Sequence, residues 1–276
     1  MFTTKGSMSD RLRAAGKFLA RDLSGFHSSF RDVLDAMFRR SDAVVCGSET
    51  QRDYIKTLCP NCFVILDDHE DSVHRVKTDY RRGEKLNLGW EGMLGNIQPF
   101  QSLIPDLKEV LQTQRAQFHV ITQLESPRYL RRYGRVQATS VVRQSVPDFP
   151  ASVYSWSPDT FSSIYTCSDI VLVPLPQGSS FHQAKSASKV LLAARMGLPI
   201  LCSWSPAYQE FSELAGIPMV CKSASDWADK LQTLSESESM RQAWGEAARK
   251  AAESHYSSSL LRGQWKQVLE SVRRSP

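Results

Sequence analysis

Lys185-Ser186-Ala187-Ser188-Lys189 places two lysines and two hydroxyls at the start of an apolar stretch that runs to Met196. A helix N-terminus offers unpaired amide donors and the positive end of the macrodipole, so cations added there suit a diphosphate. Lysines four apart share a helical face when both lie within the helix. A solvated basic helix start has the same pattern, and the spacing alone does not separate the two readings. A second candidate is Gly92-Met93-Leu94-Gly95-Asn96, where two glycines let backbone amides come close to a phosphate. It is not the G-x-G-x-x-G dinucleotide fingerprint, and no Gly-Lys-Ser/Thr follows to make a Walker A loop. A plain strand-to-helix turn is the commoner origin of such a glycine pair.

Other chemistries are weakly supported. Cys59-Pro60-Asn61-Cys62 with His69 and His74 supplies four ligand types, but the central gap of six residues is shorter than zinc-finger spacing and no second cysteine knuckle follows. Unrelated thiols and imidazoles are the better reading, ahead of a structural zinc or a redox pair. There is no Gly-x-Ser-x-Gly elbow and no His-Glu-x-x-His helix, so serine-hydrolase and ordinary metalloprotease chemistry lack their supports. Asp67 and Asp68 could serve glycoside hydrolysis only with an acidic partner across a cleft; adjacent acids at a strand end are more often a loop.

The elements that must position the lysines alternate. Short apolar runs at 86–90, 118–122, 153–156, 170–174 and 199–203 read as strands. Helical stretches lie between several of them, including one from about residue 97 to 115, one over 159–165 and one over 185–196. Such alternation predicts a mostly parallel sheet covered on both faces, with ligands beyond the carboxyl ends of the strands. A short strand at 219–221, helices over 225–234 and 236–252, and a final helix carrying Trp265 complete the C-terminal half. Upstream, the runs 43–46 and 63–66 flank a helix that Ser48 or Thr50 would cap. The first forty residues read as basic and helical, compatible with a membrane surface or partner helix but better with an ordinary packed helix. The polar stretch 75–85 marks the main boundary.

Composition excludes the extremes. With 276 residues and 41% hydrophobic content, the chain can bury one large core or two modest ones. No apolar run approaches the roughly 18 residues that span a bilayer, and six cysteines in this length do not make a secreted disulfide scaffold. A cytoplasmic location, with peripheral contact at the inner membrane face as an option, is the expectation. A net charge of +5 favours anionic partners such as nucleotide phosphates without naming one; the basic residues are too dispersed to predict nucleic-acid binding.

Five segments carry a resemblance to a known group. They are Ser41-Asp42-Ala43-Val44-Val45-Cys46-Gly47-Ser48; Leu88-Gly89-Trp90-Glu91-Gly92; Trp156 with 167–175, ending Val173-Pro174-Leu175; Lys185 through Gly197-Leu198-Pro199 to Ser203; and the tail 256–265. In order and spacing the chain resembles the nucleotide-sugar glycosyltransferases of GT-B architecture, similar to the group 1 / family 4 enzymes. That resemblance implies an α/β fold: a Rossmann-like GT-B C-terminal domain with a reduced or incomplete N-terminal α/β domain. It divides the chain into residues 1–80, an acceptor-side domain; 81–262, the nucleotide-sugar domain; and 263–276, a closing helix. It implies transfer of a sugar, with retention, from a nucleoside diphosphate sugar to a hydroxyl acceptor that is a glycan, a lipid-linked species or a small molecule, with no cofactor and no metal. Lys189 and Lys185 would stabilise the departing diphosphate. Gly92, Gly95, Asn96, Ser186 and Ser188 would lie along the donor, Trp156 and Ser157 near the base, and Ser179 and His182 near the sugar. Many relatives carry two glutamates where this chain has Ala184 and Leu192, and a longer N-terminal domain. The alternative is therefore a non-catalytic nucleotide-sugar- or polyphosphate-binding subunit, with a homo-oligomer or a partner chain completing the cleft.

Overall fold

A computed structural model describes residues 15, 16, 18, 29–129, 133–176 and 183–273. Its centre is a six-stranded, wholly parallel sheet formed by β3 (Asn87–Glu91), β4 (Gln117–Thr122), β7 (Ala151–Ser155), β8 (Ile170–Val173), β9 (Ile200–Ser203) and β10 (Val220–Cys221). β8 is buried at every residue and β9 at all but Ser203, which is why both read as unbroken apolar runs rather than alternating ones.

The strand order is β10-β9-β8-β3-β4-β7. The chain starts in the middle at β3, builds outward through β4 and β7, then returns to the other side of β3 to lay down β8, β9 and β10. The point of reversal lies between β3 and β8. In an open parallel sheet the connections on the two sides of such a point leave in opposite directions and open a crevice beyond the carboxyl ends.

Helices make the crossovers: α3 (Phe100–Thr113) after β3, α4 (Ala138–Ser145) before β7, α5 (Pro158–Tyr165) before β8, α6 (Ser188–Arg195) before β9 and α7 (Pro206–Ala215) before β10. α8 (Ala224–Glu236) packs on α3, and α9 (Glu238–His255) packs on α6 and α7. One core holds Leu86, Leu88, Phe100, Leu107, Phe118, Ile121, Val171, Leu191, Leu201 and Phe211. The 185–196 helix expected from the sequence begins at Ser188, so Lys185 stands in the loop before α6. The hairpin β5 (Glu125–Tyr129) and β6 (Tyr133–Gln137), and the helices α4 and α7, had no sequence reading at all.

Upstream of the large sheet, β1 (Val44–Cys46) and β2 (Cys62–Val64) pair in parallel, with α1 (Phe30–Arg39) before β1 and α2 (Glu49–Ile55) between the strands. Ser48 caps α2 by accepting from Gln51 N–H at 3.3 Å. Cys46, Ile55, Cys59 and Cys62 form a small core here, so the two cysteines tested above as metal ligands are buried packing residues. Among the described residues no group of three or more His, Cys, Asp or Glu could hold a metal ion.

Two devices tie this small lobe to the large one. The last helix, α10 (Ser258–Arg273), carries Leu261 and Val268 back onto Ile65, with Val45 and Phe63 beside them. The 75–85 stretch, although polar, is clamped rather than loose. Buried Tyr80 donates to Gly197 O at 2.8 Å, and the buried Arg241 guanidinium donates to Tyr80 O at 2.7 and 3.1 Å and to Leu234 O at 2.7 Å. No described helix is long and apolar enough to cross a membrane.

Candidate functional site

β3 leaves the sheet through Glu91 and Gly92 into a single 3-10 turn, Leu94–Ile97, that leads to α3. β8 leaves through Val173-Pro174-Leu175-Pro176. These two exits bound a crevice at the reversal point, lined by Trp90, Gly95, Asn96, Val173 to Pro176, Lys185 and Lys189. Four residues singled out from sequence, Gly95, Asn96, Lys185 and Lys189, thus meet in one place although 90 positions separate Gly95 from Lys185. They do not meet as one helical face: Lys185 arrives from the loop and Lys189 from the first turn of α6. No side chain caps α6, so its first amides remain free to meet an anion.

Lys189 is held from three sides. Its Nζ donates to Glu91 O at 2.5 Å and stands 4.8 Å from the centroid of the Trp90 ring. It also lies directly over Gly92, whose φ of +153° few L side chains adopt. A Cβ at Gly92 would sit 2.0 Å from Nζ, so glycine is what lets the ammonium reach the backbone. Burial pushes the Lys189 pKa down; Glu91 opposes that shift and Lys185 adds to it. Burial also lowers the pKa of Lys185. Two desolvated cations side by side favour an anion between them, since a bound negative charge relieves both penalties.

Lys189 also lines a second crevice, with His69, Ser72, Glu91, Trp156, Phe161, Ser188 and Leu192. Trp156, which follows β7, is exposed and stands 6.3 Å from Phe161, centroid to centroid. Lys189 is therefore the shared wall between a glycine-lined crevice and an aromatic one. Ser186 and Ser188 lie 3.0 Å apart through their hydroxyls, and Ser188 donates weakly to Asp67 at 3.4 Å. Ser157 is the N-cap residue of α5 and makes no side-chain cap bond; it and Ser186 line neither crevice. Ser179 and His182 lie outside the described residues.

The small lobe reaches the same loop. Ser48 and Gln51 both donate to Ala184 O, at 2.8 and 2.9 Å, and a Cβ on Gly47 would come within 2.8 Å of Ser186 Cβ. The loop that presents Lys185 is thus braced by the N-terminal lobe. Ala184 is buried beneath this contact, and Leu192 is an apolar wall of the aromatic crevice.

Two contributors were not assigned to this site from sequence. Glu91 ends an apolar strand, and burial raises its pKa against the opposing influence of Lys189 and His69. His69, considered above as a metal ligand, lines the aromatic crevice instead, while His74 uses its backbone N–H to reach Ser162 Oγ at 3.1 Å. A lone acid at the carboxyl end of an otherwise apolar parallel strand was the signal available for Glu91.

A parallel sheet with its crevice at the reversal point, capped by a small lobe and a returning C-terminal helix, defines a Rossmann-like fold of GT-B type. No known family model matches the chain, and no curated protein matches it in sequence. Solved structures of GT-B glycosyltransferases match its fold. TarM of S. aureus, solved in complex with Fondaparinux, alpha-GlcNAc-glycerol and UDP, superposes with a TM-score of 0.59 at 14% identity over 88% of this chain and 47% of TarM. Sucrose-phosphate synthase from Thermosynechococcus elongatus gives a TM-score of 0.64 at 12% identity, over 94% of this chain and 66% of that one. Anabaena HepE, in complex with UDP and glucose, gives 0.59 at 12% identity, over 96% and 76%. The chain therefore spans about half the length of TarM and about two thirds of the synthase. At such identities the likeness is one of fold.

Proposed function

We propose that this chain binds a nucleoside diphosphate sugar and transfers its sugar, with retention, to a hydroxyl acceptor. The observation that carries the reading is the convergence of Lys185, Lys189, Gly95, Asn96 and the uncapped α6 start at the reversal point of the sheet. Breaking the bond between the sugar and the diphosphate leaves negative charge on the departing phosphate oxygens. Cations already desolvated and fixed at that place stabilise the transition state more than the ground state. Trp156 and Phe161 present aromatic surface for the base in the adjoining crevice, and Lys189 joins the two halves of the ligand.

Support of a different kind comes from the solved relatives: TarM and HepE were both captured with UDP. The acceptor, a glycan, lipid-linked or small-molecule hydroxyl, enters from the small-lobe side, where Gly47, Ser48 and Gln51 border the Lys185 loop. The division into an acceptor-side lobe (1–80), a donor domain (81–262) and a closing helix (263–276) belongs to this reading. No residue is assigned as general base, and no metal or cofactor enters it. The setting is the cytoplasm or its membrane face.

One observation favours a second reading, a binding subunit without turnover, acting as a homo-oligomer or with a partner chain. Leu192 and Ala184 stand where many members of the group the sequence resembles carry their two glutamates. The test begins with thermal-shift measurements against uridine, guanosine, adenosine and thymidine diphosphate sugars, followed by hydrolysis and transfer assays on those that stabilise the protein. Turnover by the chain alone establishes the transferase. Stabilisation without turnover supports the binding subunit, and no stabilisation by any of them refutes both.

A further inference from the structure

The last helix, α10, has 16 residues, of which only Ser258, Leu261 and Val268 are buried. Leu261 and Val268 form the seam with Ile65 of the small lobe. Beside that seam runs a second face. Arg262 and Lys266, Trp265 and Leu269, and Leu269 and Arg273 are each four positions apart, which gathers all five on one side of the helix. All five are exposed, Trp265 by 47% and Leu269 by 61%. Arg262 lies close enough to Asp68 to lower its pKa, whereas no ion pair among the described residues engages Lys266 or Arg273. The one acid of the helix, Glu270, sits at the edge of this face. An indole and a leucine thus stand in water within a row of cations, although the same helix buries apolar side chains a few ångströms away.

We infer that α10 lies along an anionic lipid surface, with Trp265 and Leu269 entering the headgroup region and Lys266, Arg273 and Arg262 meeting the lipid phosphates. The inference is independent of the nucleotide site. An aromatic and an aliphatic side chain interleaved with cations is the pattern of a helix that lies in the plane of a membrane interface, where indole rings settle and basic side chains keep their charged heads among the phosphates. Charge decides against two other occupants. A second copy pairing through this face would bring two rows of cations together. The first 28 residues of the chain carry Lys5, Arg11, Arg13, Lys17 and Arg21 against Asp10 and Asp22, so they bear the same sign. Shape favours lipid over an acidic protein: Trp265 and Leu269 line neither crevice nor the larger cavity between the lobes, so the face offers no pocket for a partner's anchoring side chain.

The experiment is co-sedimentation of the full chain with vesicles of phosphatidylcholine alone and of an equimolar mixture with phosphatidylglycerol. The wild type binds the anionic vesicles and not the neutral ones, and salt at about 1 M, where the Debye length is about 3 Å, weakens the binding. Each basic residue near an anionic surface is worth about fivefold in affinity, so Lys266→Gln with Arg273→Gln weakens it about 25-fold. Trp265→Ser with Leu269→Ser weakens it at least as much at every salt concentration. All four positions are exposed, and thermal melts check that each double variant is folded; if the serine pair does not fold, the glutamine pair carries the test alone. Arg11→Gln with Arg13→Gln keeps wild-type binding. Equal binding to neutral and anionic vesicles, no binding to either, or undiminished binding by the α10 variants overturns the inference. So does a loss in the Arg11 and Arg13 variant equal to that in the α10 variants. A concentration-dependent dimer in sedimentation equilibrium that Leu269→Ser dissolves assigns the face to a second copy and overturns it as well.

Discussion

Replacing Lys189 with methionine tests the charge logic of the crevice most directly. The substitution keeps the length of the side chain over Trp90 and removes the ammonium that touches Glu91 O at 2.5 Å and stands 4.8 Å from the indole centroid. Two effects on the folded protein oppose each other. The lost cation–π contact costs about 1 kcal/mol, whereas removal of a cation whose pKa burial has lowered relieves a desolvation penalty. The net change in melting temperature is within about 3 °C, since 1 kcal/mol moves a chain of this size by about 2–4 °C. Ligand binding has no such offset. A charge-assisted hydrogen bond to phosphate is worth about 1.5–3 kcal/mol, which is about 10- to 100-fold in Kd. Calorimetry of the variant with a nucleoside diphosphate therefore gives a Kd raised by that factor, while the affinity for the bare nucleoside is unchanged. An unchanged diphosphate affinity refutes the reasoning. So does an equal loss for the nucleoside, because Lys189 would then be shaping the crevice rather than meeting a charge.

Four further outcomes follow from the same geometry. Gly92→Ala puts a Cβ where the Lys189 ammonium now lies and forces a φ of +153° on an L residue; it weakens diphosphate binding at least tenfold and lowers stability by about 1–2 kcal/mol, read by calorimetry and urea unfolding. Trp156→Ala, at an exposed position, leaves stability within about 0.5 kcal/mol but lowers affinity for both nucleoside and nucleoside diphosphate; titration of the variant against wild type checks it. Glu91 has its pKa raised by burial above the ordinary 4.5, so the native state holds a proton that the unfolded chain has released, and stability falls as pH rises through that window. Glu91→Gln removes the fall, and thermal melts show it more stable than wild type at pH 7, with the gain gone below about pH 4. Arg241→Met leaves the buried carbonyls of Tyr80 and Leu234 without that donor and costs about 3 kcal/mol in urea unfolding.

Elements buried on one or both faces were legible in the sequence because burial imposes a pattern. The runs at 86–90, 118–122, 170–174 and 199–203 became β3, β4, β8 and β9 within one or two residues, and Ser48 caps its helix by the side-chain bond its residue type makes available. The hairpin β5–β6 was not legible. Glu125 and Pro127 are exposed on one strand and Arg135 and Gln137 on the other, so neither strand carries the apolar period that marks a buried face. The start of α6 was misplaced for a related reason. Lys185, Ser186 and Ala187 are compatible with a helix or with a loop, and the hydrogen bonds from Ser48 and Gln51 to Ala184 O hold that loop against the small lobe.

Residue types and local order were enough to indicate a parallel α/β sheet, two lysines suited to phosphate, and a glycine turn at the end of its first strand, because each depends on neighbours within a few positions. The strand order had no such local cause. Whether β8 lies beside β3 or beyond β7 depends on how the helices pack over the whole sheet, and that choice places the crevice. It also brings Lys189 onto Gly92 and Glu91, joins His69 and Trp156 in one wall, and turns Cys59 and Cys62 from metal candidates into core. Contacts between residues 90 or more positions apart come from the packing of the sheet as a unit, and only the folded molecule revealed that the acid ending its central strand stands beside the lysine of α6.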